Sequence, residues 1–162
     1  MEQAELLSID TGFRYFGYAV FGSEGLIHAG LSKDTSTSDD WDIWTKQPPS
    51  FLHVVNVIKA FEWVESPRAV IEYPKMRRDT PNPEAIVKLS AACGALTGIL
   101  QAGGFSVLWV EPHSWKGSVK KDVFTKRLLA KIPQCDYCKI ENIKDHNILD
   151  AVGIGLWQRR KS

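Results

Sequence analysis

The sequence has little cysteine. Cys93, Cys135 and Cys138 are the whole supply in 162 residues. The Met-Glu-Gln-Ala-Glu opening is acidic and lacks the charged-then-apolar build of a secretion signal. An odd cysteine count without such a signal argues for a reduced, cytoplasmic chain rather than a disulfide scaffold. No apolar run stands out as long enough to span a membrane. Internal repeats and low-complexity segments are missing too. Net charge is only +1, so bulk charge does not announce a nucleic-acid binder.

What is present is one domain's worth of chain, 1–162, with ordinary apolar content and six tryptophans. Its charge is clustered. Lys75, Arg77 and Arg78 lie together, as do Lys116, Lys120 and Lys121. Lys126, Arg127 and Lys131 follow, then Arg159 to Lys161. A neutral total with local basic clusters is compatible with a polyanion partner, and equally with solvated surface lysines.

The apolar run Leu6–Ile9 ends in Asp10. Gly12 follows in a turn, and Phe16–Phe21 forms a second apolar run, so a hairpin is expected. Gly22-Ser23-Glu24-Gly25 turns the chain into a third strand, Leu26–Leu31. Residues 32–49 are polar and read as a loop, in which Trp41 and Trp44 either pin the segment down or face a partner. A helix is expected from Ser50, with Phe51, Val54, Val55, Ile58, Phe61 and Trp63 mostly on one face and Pro67 as its stop. Arg68–Glu72 is then a strand parallel to the first. An exposed loop, 73–83, leads to a helix over 84–102, rich in small residues and closed by Gly103-Gly104. Ser106–Val110 is the fifth strand and 111–117 a loop. A helix spans 121–130, Gln134–Glu141 is a loop, and a final helix runs 145–158 behind Asp145 as N-cap. Cys135-x-x-Cys138 is half of a zinc site, and a closed site needs four ligands, so two reduced cysteines in a loop is the reading.

Three carboxylates stand where a structural sequence rarely puts one. Asp10 and Glu72 end strands that lie side by side, and in open α/β sheets sites form beyond the carboxyl ends of strands. Asp150 interrupts a helix that is nearly apolar all round and therefore buried. A buried carboxylate is paired, neutralised or bound to a cation. Taken singly, Asp10 caps a turn, Glu72 pairs with Arg77 or Arg78, and Asp150 meets a buried lysine. Taken together, three carboxylates repel unless a hard divalent ion, magnesium or manganese, sits among them. Two such ions about 4 Å apart clamp a phosphodiester.

Ile9-Asp10-Thr11-Gly12 with Gly17-Tyr18-Ala19-Val20 resembles the opening Ile-Asp-Pro-Gly…Thr-Gly-Tyr-Gly-Val of the RuvC-type Holliday junction resolvases, members of the ribonuclease H-like superfamily. Val70-Ile71-Glu72 resembles their second acidic strand. Val87-Lys88-Leu89 with Gly94 resembles the helix that follows. Pro112 with Trp115-Lys116 is similar to their Pro-x-x-Val-Lys, and Asp150-Ala151-Val152 to their closing Asp-Ala-Leu. The resemblance implies an α/β, ribonuclease H-like fold: a five-stranded mixed sheet, three antiparallel strands then parallel ones, flanked by helices. It implies a homodimer that grips a four-way junction in branched DNA and nicks two strands symmetrically, in recombination and repair, using two Mg2+ or Mn2+ ions per site. Asp10 would bridge both ions, with Glu72 and Asp150 completing the shells, and Lys116, Lys120 and Lys121 would approach phosphates, alongside Lys75, Arg77 and Arg78.

The departures are specific. The family's second acid three positions before the last is Asn147 here, and His146 lies beside it. Either is a candidate for the fourth role, Asn147 as ligand and His146 as ligand or proton carrier. The family's aromatic wedge position is Lys75, leaving Tyr73 or Met76 as candidates for insertion. Thr11 replaces proline. Such divergence suggests a bacteriophage version, acting in the cytoplasm of a bacterium or infected host. Two rivals remain: a looser nuclease for branched or flapped DNA, and a DNA-binding module with a spent site. A sugar-kinase or actin-like ATPase needs a second domain and a second glycine-rich loop, so no nucleotide cofactor and no membrane are expected.

Overall fold

The computed structural model describes residues 2–12, 15–33, 50–75 and 82–161. Met76, Arg77, Arg78, Trp41 and Trp44 lie outside them. Five strands form one mixed sheet, β1 (Ala4–Asp10), β2 (Tyr15–Gly22), β3 (Leu26–Lys33), β4 (Trp63–Glu72) and β5 (Ser106–Val110), in the order β3-β2-β1-β4-β5. β1, β2 and β3 pair antiparallel. β4 runs parallel to β1 on one side and to β5 on the other. This is the expected α/β arrangement of a hairpin meander followed by helical crossovers.

The helices are α1 (Ser50–Ala60), α2 (Pro83–Ala102), α3 (Pro112–Lys116), α4 (Lys121–Leu129) and α5 (His146–Arg159). α1 and α2 pack on one sheet face with Leu7, Ile9, Ile71, Cys93, Leu96 and Leu100. α5 packs on the other with Leu6, Phe21, Val70, Ile148, Val152 and Ile154, while Trp115 and Leu128 bring α3 and α4 into the same cluster. The Asp145 carboxylate accepts from the amides of Asn147 and Ile148, as an N-cap does. Asn82 caps α2 in the same way through Ala85 N–H.

Four expectations need correction. Helix α1 ends at Ala60, and Phe61 and Trp63 lie beyond it; Trp63 already belongs to β4, where its ring packs edge-on against Phe105. Pro67 therefore stops no helix. It sits in β4 where the register against β1 jumps between Ala4 opposite Trp63 and Leu6 opposite Arg68, so its missing N–H leaves no ladder bond unmade. Residues 111–117 include helix α3, opened by Pro112 at a position where an N–H has no helical partner anyway. Gln134–Lys139 winds into a 3-10 helix, and Ile140 bridges to Ala29 on the β3 edge. Finally, α2 is long and apolar enough to cross a membrane, by length and composition alone. Here its Ala92, Cys93, Leu96 and Leu100 face the sheet.

Candidate metal centre

Asp10 is the last residue of β1 and Glu72 the last of β4. Ile9 stands opposite Ile71 in the parallel ladder, so the two acids are the next pair along, at the carboxyl ends of adjacent strands. Thr11 strengthens this junction: its hydroxyl donates to the Glu72 carbonyl at 3.2 Å. The buried Cys93 thiol, from α2, donates to the same carbonyl at 3.5 Å.

Asp150 comes from α5, and two small residues bring that helix down. Ser8 Oγ donates to the Ala151 carbonyl at 2.7 Å. Gly17 lies under the start of α5, where a Cβ would run into the backbone carbonyl of Asn147. Together they place Asp150 over the strand ends.

The electrostatics record that convergence. Asp10 is buried, and its carboxyl is held well above the ordinary range, first by burial, then by the charges of Glu72 and Asp150; Lys116 and Lys121 pull the other way. Glu72 is raised chiefly by burial and also by Asp150, against the opposing effects of a hydrogen bond from Trp115 and the charge of Lys116. Asp150 meets the Lys116 ammonium at 2.6 Å, with both side chains largely buried. The lysine partner foreseen as the structural explanation for Asp150 is thus present, and it comes from the basic cluster assigned to phosphates. Among the described residues, no three His, Cys, Asp or Glu side chains are drawn together closely enough to hold a metal ion as they stand.

The remaining candidates spread out. His146 is exposed at the start of α5. Asn147 is half-buried, with its backbone against Gly17. No hydrogen bond or ion pair among the described residues connects either side chain to the three acids. Lys75 is exposed and paired to Glu111 at 2.9 Å. Tyr73 stacks flat on the exposed Trp109, rings 4.7 Å apart and 9° from parallel. Lys120 and Lys121 are exposed where α4 begins. Arg77 and Arg78 lie outside the described residues.

Sequence reasoning missed two groups at this centre. Trp115 donates its indole N–H to Glu72 Oε2 at 2.7 Å. Ser8, inside an apolar run, holds the backbone of α5. The signals were a tryptophan where the resembled motif has valine, and a lone hydroxyl on a buried strand.

No protein-family model and no curated protein sequence matches the chain. Solved structures do. A structure of T. thermophilus RuvC in complex with Holliday junction substrate is 18% identical, with TM-score 0.64, covering 97% of this chain and 96% of that one. A second Thermus thermophilus RuvC structure is 18% identical, with TM-score 0.61 over 96% and 95%. The yeast mitochondrial Holliday junction resolvase Ydc2 is 15% identical, with TM-score 0.53 over 98% and 82%. What these likenesses show is the fold: the chain has the α/β fold of RuvC. The structural neighbours are RuvC-type Holliday junction resolvases, matched along nearly the whole chain.

Proposed function

We propose that the protein is a metal-dependent endonuclease that resolves four-way DNA junctions by paired phosphodiester hydrolysis, working as a homodimer. The observation that supports this reading is the placement of Asp10 and Glu72 at the carboxyl ends of the adjacent strands β1 and β4, with Asp150 of α5 near enough to raise both carboxyls, within a fold like that of RuvC. Three carboxylates with one lysine ammonium leave a net negative, all-oxygen donor set, which fits a hard divalent ion. Asp10, Glu72 and Asp150 would hold magnesium or manganese, which when bound activates water and stabilises the leaving oxygen.

The chain's own residues do the rest. Lys116 balances the charge of Asp150. Lys120 and Lys121 present exposed ammonium groups where α4 begins, and Lys121 is close enough to act on Asp10. They suit a phosphate backbone, so binding should weaken steeply with salt. The outer side of α2 exposes Val87, Ala91, Gly94 and Gly98 at helical spacing, and a Cβ at either glycine would meet open space. That close-packing face is our candidate for the dimer contact.

A second reading, a broader nuclease for branched or flapped DNA, is favoured by one feature. Lys75, at the family's wedge position, is tied to Glu111 and is not aromatic. The deciding experiment offers labelled junction, flap and duplex DNA with magnesium, calcium or chelator. Paired symmetric nicks confined to the junction, with binding but no cutting in calcium, are expected. Equal cutting of flaps selects the broader nuclease. Asp10→Asn should cut at least about a hundredfold more slowly yet still bind the junction. Binding without cutting by the unaltered chain, in magnesium and in manganese, would leave a spent site.

A further inference from the structure

Trp115 is the fourth residue of a five-residue helix and is 8% exposed. Its indole is a donor only, and its N–H is directed at Glu72 Oε2, 2.7 Å away. Glu72 reaches from the end of β4 on a long side chain with rotamer freedom to lose. A hydrogen bond to one oxygen of such a carboxylate limits how it turns while leaving acceptor sites free.

The ring that supplies this bond is itself held. Phe124 packs edge-to-face against it, centroids 5.1 Å apart at 79°. Gly153 of α5, three residues after Asp150, forms the ledge beneath. A Cβ there would fall 2.8 Å from Trp115 Cζ3 and 3.0 Å from Phe124 Cζ. The next residue, Lys116, binds Asp150 Oδ2. Consecutive residues of α3 thus hold carboxylates that come from two different elements. The valine of the resembled motif has no donor to offer here.

We propose that Trp115 is a positioning residue for Glu72. Its indole N–H holds the carboxylate, ahead of any ion, in the orientation in which it takes a divalent cation. The inference rests on the metal-centre reading above and adds the group that orients one of its ligands.

Trp115→Phe keeps a ring on Gly153 and Phe124 and removes the N–H. The full-length protein is titrated with Mn2+ alone by calorimetry, with circular dichroism to follow the fold. The variant is expected to bind Mn2+ about 10–100-fold more weakly, the usual cost of losing a group that orients a metal ligand. A variant that melts lower yet binds Mn2+ within about twofold of the parent would make Trp115 a packing residue and overturn the inference. The Trp115 indole N–H resonance, recognised by its loss in that variant, is read separately. Assigned also in the parent protein from its through-space contact with the Phe124 ring, it should move on Glu72→Gln and again when Mg2+ is added to the parent; a resonance that ignores both would overturn the inference even if Trp115→Phe fails to fold. Failure of the parent itself to take up Mn2+ or Mg2+ would remove the metal centre and this role together. Uptake by the parent with an indifferent variant removes only the role of Trp115.

Discussion

The two faces of the sheet are built differently. On the α1/α2 face the contacts are almost wholly apolar: Leu7, Ile9 and Ile71 meet Val54, Leu96 and Leu100. An aromatic series runs through the same face, from Phe16 and Tyr18 past His28 to Phe61, Trp63 and Phe105. Burial, with Glu141 adding to it, pushes the Tyr18 phenol up to about 12. On the α5 face apolar packing is interrupted by polar pins: Ser8 on the Ala151 carbonyl, Trp115 on Glu72 and Lys116 on Asp150. The first face touches the centre through the Cys93 thiol on the Glu72 backbone carbonyl, not through a carboxylate. The second sets where a carboxylate lies, so each pin is directional. Stability and site geometry are therefore carried by separable layers of one small sheet.

That separation can be broken by substitution. The largest stability effect is expected on the apolar face: Leu100→Ala should cost about 2–5 kcal/mol in denaturant unfolding while leaving Mn2+ affinity unchanged. A loss of Mn2+ affinity in that variant would show the layers to be coupled. Gly17→Ala should cost about 1–3 kcal/mol by overpacking. It should also depress junction cleavage out of proportion to stability, because the clash lifts the start of α5 and Asp150 with it. Equal loss of both would deny α5 its positioning role.

A smaller effect, of opposite sign, is expected at the centre itself. The Asp10 carboxyl is raised by burial and by Glu72 and Asp150. A carboxyl whose folded value is raised keeps its proton better when folded, so its contribution to stability is present at acid pH and lost as pH rises above the ordinary carboxylate range. At neutral pH in chelator, Asp10→Asn should therefore melt higher, by about 2–4 °C for each kcal/mol released. The gain should vanish at about pH 3, where the acid is protonated in both states. A variant that melts lower in chelator would mean that the charge is already compensated.

The smallest perturbation compares the cysteines. Cys93 is buried under the α2 face and its thiol is pushed up to about 11, chiefly by burial, whereas Cys135 and Cys138 are exposed. Iodoacetamide at neutral pH should label the exposed pair in the native protein and reach Cys93 only on unfolding.

Much of this was legible in the residues. The apolar strand runs, the glycine turns and the N-cap Asp145 depend on neighbours in the chain, and so do the strand ends that carry Asp10 and Glu72. The early end of α1 was not, because Phe61 and Trp63 continue a helical spacing that ends only when Trp63 packs on Phe105, far along the chain. Nor was helix α3, whose residues gain their order from Glu72, Asp150 and Gly153.

The sequence by itself determined the α/β order, the parallel placement of β1 and β4, and the burial of the helix bearing Asp150, because periodicity and turn chemistry act over a few residues. The tertiary structure alone decided that Lys116 binds Asp150, that Trp115 holds Glu72, and that Ser8 pins α5. These are contacts between residues from 34 to 143 positions apart. A hydrogen-bond donor carries no mark in the sequence of the acceptor it will meet; only packing, which brings separate elements within 3 Å, selects it.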